Sequence, residues 1–307
     1  MIRLSKNQPD KNSALIQDSA AFEEANGRSL WQDARRRLFA NKAAVVSMCI
    51  LVFLIVLAAL ADVISPNSYE TVNWDKINQP PTWDTFNIFG TDGLGRDLFV
   101  RTLYGARISF AVGVIATLVA LVIGVTYGAV SGFIGGKVDE VMMRIVDILY
   151  SLPFMFIVIV LMVVFGRHIF LIFLALGAVE WLTMARVVRG QTLKIKHMEF
   201  IEAAESLGVP KFTIITRHII PNVIGPVIIF VTLTIPGVIL AESFLSFLGL
   251  GVQEPLTSWG RLISEGANEI ETAPWLLLFP ASFMGLTLFC FNFIGDGLRD
   301  ALDPKDR

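Results

Sequence analysis

The sequence predicts an all-α integral membrane protein: six transmembrane helices, preceded by a helix at the inner membrane surface. Three observations carry this. Of 307 residues, 54% are hydrophobic and only 17% charged, against about a quarter charged in an ordinary soluble domain. Mean hydropathy is +0.64. The apolar residues gather into runs long enough to cross a hydrocarbon core, which takes about 20 residues of helix. The runs do not alternate in polarity, as the strands of a closed barrel must, and a barrel is the other fold that satisfies backbone polar groups in lipid. A net charge of −2 gives no global attraction to nucleic acid. Cys49 and Cys290 sit inside apolar runs, with neither metal-ligand spacing nor a disulfide framework.

The elements follow in order. Residues 1–42 form a polar cytoplasmic segment without the short apolar core and cleavage site of a signal peptide. Within it, Ser29-Leu30-Trp31-Gln32 is a capping-box pattern. Leu30, Trp31, Ala34 and Leu38 share a face and Arg35, Arg36 and Arg37 can reach headgroups, so 29–41 reads as an interfacial helix. The spans fall at about 43–64, 106–134, 145–166, 169–188, 219–241 and 273–295. A coupling loop at 194–218 and a tail at 296–307 are cytoplasmic. Lys and Arg set this orientation. Eight lie in 1–42 (Arg3, Lys6, Lys11, Arg28, Arg35, Arg36, Arg37, Lys42), and more follow in 135–147, 186–218 and the tail. The opposite loops hold Lys76, Arg96, Arg101, Arg167 and Arg261, and two of them are rich in acid. Both termini are therefore expected inside.

Some residues depart from a plain apolar run. Ala116, Ala120, Gly124, Gly128, Gly132 and Gly136 recur every four residues along the second span. Small residues at that spacing let a second helix approach closely, in this chain or a partner. Pro221, Pro226 and Pro236 in the fifth span favour kinks. Glu180 is a charge inside the fourth span, expected to make a structural hydrogen bond or to snorkel, with a translocation path as the rarer use. The three histidines, His168, His197 and His218, form no cluster. Gly135-Gly136-Lys137-Val138 lacks the spacing and the Ser or Thr of a phosphate-binding loop. An ion-coupled carrier would show more intramembrane charges and repeated halves.

The loop KIKHMEFIEAAESLGVPKFTIITRHIIPN, Lys194–Asn222, is the most informative stretch. Phe200, Ala203, Ala204 and Leu207 fall at helical spacing. Gly208 ends that helix and Pro210 fits the start of a second short one, with Phe212, Ile215 and Ile219 on its apolar face. A helix–turn–helix across the inner face follows. It reads either as a self-packed connector or as an element lodged in another protein's groove.

Glu202-Ala203-Ala204, Gly208 and Ile220-Pro221 resemble the E-A-A…G…I-x-P signature of ATP-binding-cassette importer permeases. Gly90-Thr91-Asp92, Gly95-Arg96-Asp97, Arg101, Ser246-Phe247-Leu248-Gly249-Leu250-Gly251 and Ser258-Trp259-Gly260 resemble the loops of their dipeptide, oligopeptide and nickel group. The segments 27–37 and 296–304 are similar to those of the C-type subunits of oligopeptide importers. The resemblance implies the type I importer permease architecture and a non-catalytic chain. Phe200, Glu202, Ala203, Ala204, Leu207 and Gly208 would couple it to ATPases, with Gly124, Gly128 and Gly132 packing helices. The implied partners are a second homologous permease, two cytoplasmic ATPase subunits that bind the ATP and Mg, a periplasmic peptide-binding protein and the peptide. Dipeptides, glutathione or nickel on the same scaffold are the alternatives. A self-sufficient channel or carrier and a membrane enzyme are the readings from other classes.

Overall fold

The computed structural model describes residues 30–83 and 87–302. Ser29 with its capping pattern, the side chain of Leu30 and the last residues of the tail lie outside the described residues. Among the described residues the architecture is helical, with an isolated bridge between Thr91 and Asp97. In chain order the helices are α1 (Leu30–Ala40), α2 (Lys42–Ala59), α3 (Ala61–Ile64), α4 (Leu98–Ile134), α5 (Gly136–Ser151), α6 (Phe154–Phe165), α7 (Ile169–Ile195), α8 (Glu199–Ser206), α9 (Lys211–Phe247), α10 (Trp259–Asn268) and α11 (Trp275–Leu302).

Helix α1 is separated from α2 by Asn41. Its side chain accepts hydrogen bonds from the amides of Ala43 (3.1 Å) and Ala44 (3.2 Å), capping the next helix. Ala34 is buried while Trp31 stays exposed. Helix α2 buries only a thin stripe through Ala44, Ser47, Leu54 and Ala58, so it rides on the outside of the bundle.

Helices α4 and α7 make the most extensive pair. A Cβ on Gly124 would lie 2.5 Å from Met184 Cβ, one on Gly128 2.4 Å from the Ala185 carbonyl oxygen, and one on Gly132 2.9 Å from Thr192 Cβ. From the other side, Gly177 brings α7 against the Ala116 carbonyl. The two backbones approach to a distance that only glycine permits. The stripe ends there, since Gly136 has open space around it.

Two spans differ from the sequence expectation. Five helices (α2, α4, α7, α9, α11) are long and apolar enough to cross a membrane. The third span expected at 145–166 is instead two helices, α5 and α6, bent by 79° at Leu152–Pro153. Proline lacks the amide the ladder needs and pushes the residue before it out of the helical region; Leu152 sits at ψ 138°. Composition alone reported the apolar run and missed its break. The second helix of the coupling loop is not short either. It runs without interruption from Lys211 to Phe247, through a π-turn at Ile215–Ile219. Pro221 falls in the first turn of the stretch beyond the π-turn, where a missing amide is tolerated. Pro226 and Pro236 also lie within the continuous helix. The Thr232 and Thr234 hydroxyls, ahead of Pro236, donate to the Ile229 (2.8 Å) and Phe230 (2.9 Å) carbonyls and so keep their polar groups within the helix.

Candidate functional site

The loop between α7 and α9 forms an elbow at one end of the bundle. Helix α8 is anchored on one side and bare on the other. Ile201 is fully buried and Ala204 nearly so, packed with Phe133 of α4, Val188 and Ile195 of α7 and Ile214 and Ile219 of α9. Lys196 pins the entry to the elbow: its ammonium donates to the Phe133 carbonyl at 2.7 Å, among the last unpaired carbonyls of α4. Helix α8 ends in a Schellman motif. Gly208 N–H donates to Glu205 O (3.0 Å) and Val209 N–H to Ala204 O (3.1 Å), with Gly208 at φ +74°. A side chain on Gly208 would meet no neighbour, so glycine is needed here for its backbone and not for space.

The opposite face of the elbow is apolar and uncovered. Leu207 is 83% exposed, Phe212 76%, Met198 46% and Phe200 43%. Ala203 leaves a flat place among them, and Glu202 is exposed beside it. The expected site residues thus divide. Phe200, Glu202, Ala203 and Leu207 face outward, Ala204 faces the core, and Gly208 shapes the exit. Met198, not singled out from the sequence, extends the bare surface, as does Phe212, which the sequence grouped on one apolar face with Ile215 and Ile219; the structure buries those two and leaves Phe212 exposed. Ile201, the anchor, was missed too, though its place three residues before Ala204 on an amphipathic helix could have revealed it.

Beside the elbow, Arg189 of α7 donates from Nε and Nη2 to the two oxygens of Asp139 of α5, both at 2.6 Å, and Ser131 Oγ of α4 donates to the same carboxylate at 2.5 Å. This bidentate pair ties three helices together. Glu180 makes no ion pair or hydrogen bond among the described residues, so the structural bond expected for it is not formed. It instead lines a cavity with Tyr150, Pro153 and Thr183.

At the other end of the bundle lies a cap. Arg101, 2% exposed in its side chain, donates to Asp92 (2.7 Å) and Glu265 (3.2 Å), while Arg96 donates to Asp92 (2.8 Å) and Glu254 (3.2 Å). Burial pulls the Arg96 pKa down, but Asp92, by charge and hydrogen bond, more than offsets this and holds it above the ordinary value. Burial raises the Glu265 carboxyl, partly opposed by Arg261, and raises Asp97, partly opposed by its bond from Asn67. Trp259 is fully buried; its indole donates to the Thr102 carbonyl at 3.0 Å and its amide to Ser109 Oγ at 3.1 Å. Glu242 of α9 is buried and accepts from Ser246 Oγ (2.7 Å) and Ser258 Oγ (2.8 Å). Glu242 thereby closes the junction between α9 and α10. Among the described residues no group of His, Cys, Asp or Glu is arranged to hold a metal.

Residues 124–307 match the family described as binding-protein-dependent transport system inner membrane component. The chain belongs to this family. Residues 29–81 match the N-terminal transmembrane domain of oligopeptide transport permease C. This permease is 56% identical over 300 residues to the oligopeptide transport system permease protein OppC of Haemophilus influenzae, covering 97% of this chain and 96% of that one. It is 57% identical over 297 residues to the OppC protein of Escherichia coli, covering 97% and 98%. The dipeptide transport system permease protein DppC of Bacillus subtilis is 49% identical over 317 residues, covering 100% of this chain and 98% of that one. The elbow lies within the residues matched to the family, whereas the cap joins matched residues (Glu242, Glu254, Ser258, Trp259, Glu265) to Asp92, Arg96 and Arg101, which lie between the two matched segments.

Proposed function

We propose that this chain is one permease subunit of an ATP-driven oligopeptide importer in the bacterial inner membrane. It forms half of a path whose other half is a second, similar permease. Two ATPase subunits grip it from the cytoplasm, holding the ATP and magnesium, and a periplasmic protein delivers the peptide to the cap. Both termini then lie inside, with α1 at the inner surface; the lysine and arginine asymmetry supports that orientation. The observation that carries the reading is the elbow. A short helix, fastened by Ile201 and Ala204 to three long helices, presents an unpartnered apolar face of Phe200, Ala203, Leu207 and Phe212. Such a face fits a groove in a partner. Because α8 is continuous in packing with α7 and α9, displacement of the elbow moves both. ATP-driven closure of the ATPase pair would therefore switch the path between its two openings, with this chain doing no chemistry itself.

The test is purification of the tagged chain from cells expressing the whole operon, followed by reconstitution. A second permease and two ATPase subunits should accompany it, and peptide uptake should require ATP. A chain that purifies alone and conducts solutes without ATP would overturn the proposal. Dipeptides are a second reading, favoured by the near-half identity to a dipeptide permease; uptake compared for two- to five-residue peptides separates the two.

A further inference from the structure

We propose that the cavity at the α5–α6 bend is a subsite for the amino-terminal ammonium of the transported peptide, with Glu180 as its counter-charge; this rests on the peptide-import reading. The bend at Leu152–Pro153 opens a space of about 420 Å³ between the end of α5, the start of α6 and α7. Its walls are apolar and aromatic, from Tyr150, Pro153, Phe154 and Leu182, with Thr183 and Glu180 as polar groups. Glu180 sits within an apolar helix and has no cationic or hydrogen-bonding partner among the described residues. An ionisable side chain at such a depth is costly unless something pairs with it. The nearest guanidinium on the same helix, that of Arg186, is already held by Asp147 at 2.9 Å and lies over the Tyr150 ring at 4.2 Å.

A cation that enters and leaves would supply the pairing that this chain does not. The volume suits a few residues of peptide and not a bare ion. Helix α6 begins in the same cavity with no side-chain cap on its first amides, and such amides seek a carbonyl or carboxylate oxygen. A peptide amino terminus carries both features, an ammonium and a carbonyl separated by one α-carbon, and does so whatever its sequence. An aminophospholipid shares the ammonium, so the membrane used in the test contains none.

The test uses the whole importer, with Cys49 and Cys290 replaced by serine and Thr183→Cys introduced, in nucleotide-free form in phosphatidylcholine and phosphatidylglycerol liposomes. Cationic and anionic methanethiosulfonates of equal size are compared by mass of the labelled chain. The cationic reagent should react about tenfold faster, and adding Glu180→Gln should bring the two rates together. Free trialanine should slow the reaction, and N-acetyl trialanine should not. Equal rates with Glu180 present would overturn the proposal, as would equal protection by both peptides. Because the labelling reads the cavity and not transport, a variant with impaired uptake still reports. Absence of peptide uptake by the unmodified importer would fail the peptide-import reading instead, and the two labelling rates would still decide whether the cavity prefers a cation.

Discussion

Single residues in this chain divide by whether their neighbours or their backbone set the constraint. Gly128 is held by its neighbour, the Ala185 carbonyl. We expect Gly128→Leu to cost about 1–3 kcal/mol through forced separation of α4 and α7, read as a fall in melting temperature and in the yield of assembled complex. Gly208 is held by its backbone. Gly208→Ala should cost roughly 1 kcal/mol, the penalty of a left-handed conformation for an L side chain, and leave uptake largely intact. Gly208→Pro cannot adopt φ +74° and should abolish coupled uptake. Two apolar residues of α8 make the complementary test. Ile201→Ala, in the core, should destabilise by about 2–5 kcal/mol. Leu207→Ala, bare, should change stability by no more than about 0.5 kcal/mol yet lower ATPase retention in a pull-down. Equal effects of the two on both readouts would contradict the division of α8 into anchored and docking faces.

Helices show what periodicity can and cannot reveal. The glycine stripe of α4 was legible because its spacing is local and its physical meaning, close approach, does not depend on which helix approaches. The partner was not legible; it is α7, about sixty residues on along the chain. The break in the third span was hidden because an apolar count is blind to Pro153, and the continuity of α9 was hidden for the opposite reason, since Pro210 and Pro221 look like punctuation. A π-turn absorbs the mismatch between them. Pro153→Ala restores the lost amide. It should straighten the α5–α6 junction, measured as a longer distance between spin labels at 141 and 160, and should reduce uptake. An unchanged distance would assign the bend to packing and not to the proline.

Across the whole molecule, the two ends are built differently. The elbow closes over apolar contacts from neighbouring helices. The cap is closed by charges far apart in the chain: Arg96 with Glu254 and Arg101 with Glu265. Pairings across that much sequence have no periodic signature, which is why the outer motifs could be recognised by resemblance but not assembled. Arg101→Met would remove one of the two guanidinium partners of the buried Asp92 and leave Arg96 as the other; it should cost about 1–3 kcal/mol, seen as faster amide exchange in 92–101 and 259–268. Acid should act otherwise. The Glu265 and Asp97 carboxyls have raised pKa values, so their charged forms destabilise the fold once pH rises through the unfolded-chain values, and fully so above the folded ones. Lowering pH through that window relieves the penalty. Exchange protection of these segments, corrected for intrinsic rates, should therefore be no lower at pH 5 than at pH 7.

Helix α9 reaches from Phe212, on the bare side of the elbow, to Glu242, which receives the Ser258 hydroxyl beneath the cap. At about 1.5 Å per residue its 37 residues measure roughly 55 Å. The two faces of the membrane are thus joined by one unbroken strut, and no relay of side chains is needed to carry a message between them. A tilt imposed at one extremity arrives at the other as an opposite swing, in a single motion, with the Pro226–Pro236 stretch as the place where such a beam would flex.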